Sequence, residues 1–92
     1  ARQAASAAGY DLSRYNRLIF GFPSNGCSWW GLGQVGGSTS YAWVNGSIAT
    51  RVVAHELGHN LGVYHALAME CGAATLGTNC SSIEYGNPAD VM

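Results

Sequence analysis

His55-Glu56-Leu57-Gly58-His59-Asn60-Leu61-Gly62-Val63-Tyr64-His65 contains every histidine of the 92-residue chain. On a helix, at ~100° per residue, His55 and His59 lie ~40° apart and one turn along the axis, so both imidazoles can reach one metal ion. Glu56 follows the first of them directly. It stands beside that ion without having to bind it, where its carboxylate can take a proton from a metal-bound water. On an unbroken helix His65 would sit roughly 15 Å along the axis from His55, too far to share the metal. Gly62 removes the obstacle, because glycine accepts a left-handed backbone cheaply, ends the helix and lets the chain turn back. Three neutral histidines leave one position open on a tetrahedral zinc, which is how catalytic sites differ from structural ones. The first five residues alone also occur in surface helices that carry an i,i+4 histidine pair. Adding Gly62 and His65 at these offsets makes coincidence a poor account, and leaves a zinc site that binds without catalysing as the competing reading.

The pattern HExxHxxGxxH at His55–His65 resembles the signature of the metzincin metallopeptidases. Their second hallmark is a methionine turn below the metal, and Asp90-Val91-Met92 is similar to it. The flanks resemble the gametolysin branch: Cys27 to Gly37, Trp43-Val44-Asn45-Gly46, Arg51-Val52-Val53-Ala54, Cys71-Gly72 and Glu84-Tyr85-Gly86-Asn87-Pro88. The resemblance runs from about Tyr15 to Met92, and it is most specific at the histidines. It implies an α/β fold: a metzincin-like catalytic half, with a small, mostly parallel twisted sheet and an antiparallel edge strand over the zinc-binding helix. It also implies a secreted zinc endopeptidase acting on extracellular-matrix or cell-wall type proteins. Zn²⁺ is then expected on His55, His59 and His65, with Glu56 as the general base acting on water activated by the metal.

Composition is consistent with this expectation. Residues 1–92 make one domain at most, and a chain of this size buries only ~60–68% of its unfolded surface. Hydrophobic residues make up 48% and charged ones 10%, with no lysine, which argues against disorder. A net charge of -1 and four scattered arginines give no footprint for nucleic acid. No apolar run approaches the ~20 residues of a membrane span. A protein or peptide substrate is the partner to expect. There is no initiator methionine or signal peptide at Ala1, and metzincin domains are longer at both ends, so the chain reads as part of a larger secreted protein. A non-catalytic zinc-binding interaction module and an adhesion module are the alternatives; the intact Glu56 argues against the first, since zinc binding alone does not need it.

Cys71 and Cys80 flank a stretch with little core-forming content and can close a small loop, for a gain of roughly 2.7 kcal/mol. Cys27 is then left over, either paired outside this stretch or a buried thiol. Ala1–Gly9 reads as the tail of a helix stopped by Gly9, and Tyr10–Asn16 as a polar connection. Arg17–Phe22 reads as a strand covered on both faces, and Leu32–Gly36 and Tyr41–Asn45 as two more, the first weakened by glycine into an edge strand. Such an edge above the cleft is expected to pair with an extended substrate through Leu32-Gly33-Gln34-Val35. Ser47 or Asn45 is the expected cap of the zinc helix. One helix stripe holds Ile48, Val52, His55 and His59, and a second holds Val53, Leu57 and Leu61. Beyond His65 only Ala66–Glu70 has helical character. Trp29, Trp30 and Trp43 are expected to pack rather than bind substrate. Tyr64 is given no catalytic role. Asn45-Gly46-Ser47 and Asn79-Cys80-Ser81 fit glycosylation sequons.

Overall fold

Arg17-Leu18-Ile19-Phe20-Gly21-Phe22 forms strand β1 in the computed structural model, which describes residues 1–92. Before it, α1 (Arg2–Ala7) ends ahead of Gly9, whose φ of 89° turns the chain. A short 3-10 turn at Leu12–Arg14 follows, capped by the Asp11 carboxylate, which accepts from the Ser13 amide at 3.1 Å. After β1 come β2 (Gly31–Gly33), β3 (Ser40–Asn45), α2 (Thr50–Asn60), β4 (Leu67–Glu70) and β5 (Ser81–Glu84).

The first three strands make one sheet in the order β1-β3-β2. β1 runs parallel to β3, and β2 antiparallel to it. The sheet is thus evenly mixed rather than mostly parallel, and its antiparallel edge strand is shorter and begins earlier than the expected Leu32–Gly36, overlapping it only at Leu32 and Gly33. β3 takes the centre, with Ala42 and Val44 fully buried against the α2 side. β1 lies at an edge, and its residues are at best partly covered. The expectation of cover on both faces therefore fails for this strand. Its outward ring, Phe20, stacks on Trp43 at 6.1 Å and leans on Tyr41 at 6.2 Å, so the face away from α2 carries an aromatic layer. Phe22 meets Trp29 edge-on at 6.0 Å. Trp29 and Trp43 are packing residues, as expected.

Helix α2 has Ala49 at its N-cap and no side-chain cap. Ser47 contributes only its carbonyl, accepting from the Ala49 amide at 3.0 Å and from Trp30 Nε1 at 3.2 Å. Asn45 is committed elsewhere: its amide donates to the carbonyls of Cys27 (3.3 Å) and Trp29 (3.0 Å), and its Oδ1 accepts from the Asn25 amide (3.1 Å). With Asn45 buried and fully bonded, that sequon cannot present its side chain for glycosylation. The helix buries one stripe, Val52, Glu56, His59 and Asn60, at the i, i+4, i+7, i+8 spacing of a single face. The second expected stripe stays outside the core, with Val53 and Leu57 only partly covered and Leu61 72% exposed, and Ile48, expected at the head of the first stripe, is mostly exposed as well. A two-layer unit with cover on one side of α2 has no use for a second apolar face.

The end of α2 is fixed by polar contacts. Asn60 is fully buried, and its Nδ2 donates to the carbonyls of Gln34 (2.9 Å) and Tyr41 (3.0 Å). The Gly36 amide donates to the His59 carbonyl at 2.8 Å. Helix and sheet are thus tied together directly behind the histidines.

Residues 66–70 are the clearest departure from expectation. Rather than a helix they supply a strand, and β4 pairs antiparallel with β5 from Leu67↔Glu84 to Glu70↔Ser81. A disulfide between Cys71 and Cys80 closes the far end of this hairpin, as the spacing suggested. Cys27 is free and exposed rather than buried. No helix is long and apolar enough to cross a membrane.

Candidate active site

His55 and His59 project from the same side of α2, with Nε2 atoms 3.1 Å apart. Leu61 closes the helix and Gly62 follows at φ 96°. The Val63 amide returns to the Gly58 carbonyl at 3.0 Å and the Gly62 amide to the His59 carbonyl at 2.8 Å. This is the double closure of a glycine-terminated helix. It reverses the chain and brings His65 Nε2 to 3.0 Å from His59 Nε2. The three rings lie with their donor atoms within 4.8 Å of one another.

Two of the three spacings, 3.1 and 3.0 Å, are close to those between ligands of one zinc ion, while the set as a whole spans up to 4.8 Å. At Zn–N distances of about 2.0–2.1 Å, two nitrogens of a tetrahedral site stand roughly 3.3 Å apart. The far nitrogens also agree. His55 Nδ1 lies 2.7 Å from the Val91 carbonyl, His59 Nδ1 2.8 Å from the Val63 carbonyl, and His65 Nδ1 2.7 Å from Glu84 Oε1. Each partner only accepts, so each Nδ1 carries the proton and each Nε2 offers its lone pair to the common centre.

Glu56 lies beside this centre but bonds to none of the histidines, and it is almost completely buried. Its carboxylate rests against the backbone of β2. A Cβ at Gly31 would overlap Glu56 Oε1, and one at Gly33 would stand 2.8 Å from Oε2 and 2.9 Å from the Glu56 carbonyl. Burial raises its pKa above the ordinary carboxylate value, against the opposing pull of His55, His59 and His65. Gly33→Ala should therefore cost stability, since its contact with the Glu56 backbone is relieved only by moving strand from helix. Roughly 1–3 kcal/mol is expected, read as a lower denaturant midpoint; an unchanged midpoint would show that strand and helix are not in contact there.

Asp90-Val91-Met92 passes under the helix. Met92 is buried, and its thioether occupies the space a side chain at Gly58 would need. Asp90 Oδ1 accepts from the Met92 amide at 2.9 Å and so shapes the turn. The turn thus does two things: it supplies a floor, and through the Val91 carbonyl it orients His55.

Glu84 and Tyr85, from the end of β5, are the functional candidates the spacing of the sequence did not reveal. Tyr85 donates its hydroxyl to His65 Nε2 at 2.6 Å, the same atom that faces the metal position. Burial, then the Glu84 and Glu56 carboxylates, push its phenol above the usual tyrosine range, so it stays a donor. Its φ of 59° makes it the one non-glycine residue with a left-handed backbone. Trp30 is also recovered, since it lines a cavity of about 270 Å³ with Gly31, Val52, His55, Glu56 and Tyr85. The packing role expected of all three tryptophans does not hold for Trp30. Tyr64 is exposed and takes no part.

Residues 9–70 match the family model of the Astacin peptidases. No curated protein and no solved structure matches the chain. The matched segment contains the three-stranded sheet, α2 and all three histidines; the β5 residues and Asp90-Val91-Met92 lie beyond it.

Proposed function

Because the chain belongs to the astacin family of zinc metallopeptidases, we propose that it is an endopeptidase that holds zinc through His55, His59 and His65 and uses Glu56 as general base. The convergence of the three Nε2 atoms, each with its Nδ1 engaged by an acceptor, carries this reading. A bound zinc would supply Lewis acidity, acidifying water and polarising the scissile carbonyl. Glu56 takes the proton of the attacking water and returns it to the leaving amine. β2 pairs on one side only, with β3. Its open edge beside Glu56 can receive an extended peptide by backbone hydrogen bonds, which aligns the substrate without reading its sequence. The hydroxyl of Tyr85 stands where a donor can stabilise charge developing on the carbonyl oxygen.

The gametolysin-like flanks add a proposal about substrate: structural proteins of an extracellular matrix or cell wall, cleaved outside the cell. The Cys71–Cys80 disulfide suits an oxidising compartment. Cleavage of an unfolded protein should be abolished by a chelator and restored by zinc. Zinc at about a hundred times its dissociation constant should add ~2.7 kcal/mol and raise the melting temperature by roughly ten degrees or more. Zinc-dependent stabilisation without any cleavage would instead establish a binding module.

A further inference from the structure

The three histidines are oriented by unlike partners. Neutral backbone carbonyls hold His55 and His59, whereas a carboxylate holds His65. A carboxylate on the far nitrogen fixes the tautomer and also raises the basicity of the ring toward a metal. Glu84 is thus the only charged group in the set that orients the histidines. It arrives in an unusual way. The β4–β5 hairpin makes a sheet of its own, and no other strand or helix packs against it. Every residue of β5 is exposed. Isolated two-stranded hairpins are marginal in water. This one is held at its far end by Cys71–Cys80 and at its near end by contacts to the histidine turn: Glu84 and Tyr85 on His65, and the Tyr85 amide on the Ala66 carbonyl at 3.2 Å. Gly86 lets the chain leave that corner, since a Cβ there would stand 2.6 Å from Ala68 Cβ and 3.0 Å from the Ile83 carbonyl.

We propose that Glu84 is a positioning residue of the metal centre, which sets how tightly His65 holds zinc, and that the disulfide-closed hairpin is the element that delivers it. This rests on the assignment of His55, His59 and His65 as ligands. The hairpin and the metal therefore stabilise one another through the His65–Glu84 pair, although none of the hairpin's residues touches the metal position except at its last turn.

Competition with a chromophoric chelator measures the zinc dissociation constant directly, with no need for turnover. Glu84→Ala should weaken zinc binding about 10–100-fold. Glu84→Gln should fall between it and the wild type, because its amide oxygen still accepts from Nδ1–H but carries no charge. Amide exchange of β4 and β5 should be unchanged in Glu84→Gln, which separates loss of charge from loss of the hairpin. The Nδ1–H resonance of His65 should move in that variant while those of His55 and His59 stay. Replacing both Cys71 and Cys80 with serine should also weaken zinc, and adding Glu84→Ala to that variant should cost little more, because the two changes act through one contact. Wild-type affinity in Glu84→Ala overturns the role of Glu84. Full additivity of the two changes overturns the role of the hairpin in delivering it. A wild-type chain that binds no zinc would overturn the ligand assignment itself, and this inference with it.

Discussion

Replacing Glu56 by glutamine is expected to leave zinc bound and to lower kcat about 10²–10⁴-fold, the usual contribution of a positioned general base. The amide has nearly the shape of the carboxylate, so it can occupy the same slot against Gly31 and Gly33. It makes no bond to a histidine that the metal would need, and the three ring orientations are set by Val91, Val63 and Glu84. What it cannot do is accept a proton. Metal content and steady-state kinetics on the same preparation test this: wild-type turnover at equal zinc occupancy would remove Glu56 from the role.

Gly31→Ala should be nearly as damaging to turnover by a different route. The new methyl would occupy the space of Glu56 Oε1, and the flexible carboxylate is the group that gives way. A catalytic group displaced by about 1 Å can cost ~10²-fold. Stability should suffer less than in Gly33→Ala, where backbone is struck as well as side chain. Zinc affinity should hold, since no histidine is touched. If instead activity survives and zinc is lost, β2 shapes the histidines rather than the base.

Local spacing carried most of what could be read from the chain. His55, Glu56 and His59 share one helix, and Gly62 lies between it and His65, so eleven contiguous residues encode the whole triad. The edge position of this strand was legible because glycine at 33 and 36 weakens the Leu32–Gly36 stretch, although the strand itself runs over Gly31–Gly33. Its purpose was not, because the carboxylate it makes room for lies far along the chain, at Glu56. Glu84 reaches His65 across 19 residues through a hairpin. The stretch that starts that hairpin, Ala66-Leu67-Ala68-Met69-Glu70, consists of strong helix formers. Closure by Cys71–Cys80 and pairing with β5 override the propensity. The missing cap on α2 has a similar cause: Ser47 and Asn45 are comparable capping residues in isolation, but the helix starts only after Ala49, and three bonds to the 25–29 loop hold Asn45 elsewhere.

The strand order β1-β3-β2 has a consequence for how the molecule assembles. β2 and β3 are joined by a short connection and can zip together locally. β1 has no partner until β3 exists, since Arg17 pairs with Ser40 across 23 positions of chain. Closing that span costs entropy before any contact repays it, so attachment of the first strand is the slow kind of step. On the ribosome, β1 emerges early and waits exposed, with Leu18, Ile19 and Phe20 uncovered, until the central strand follows. Ala42 and Val44 then belong to the folding nucleus. Substitutions there should slow refolding, whereas those in β4 and β5 should mainly hasten unfolding, a contrast that stopped-flow φ-values would resolve.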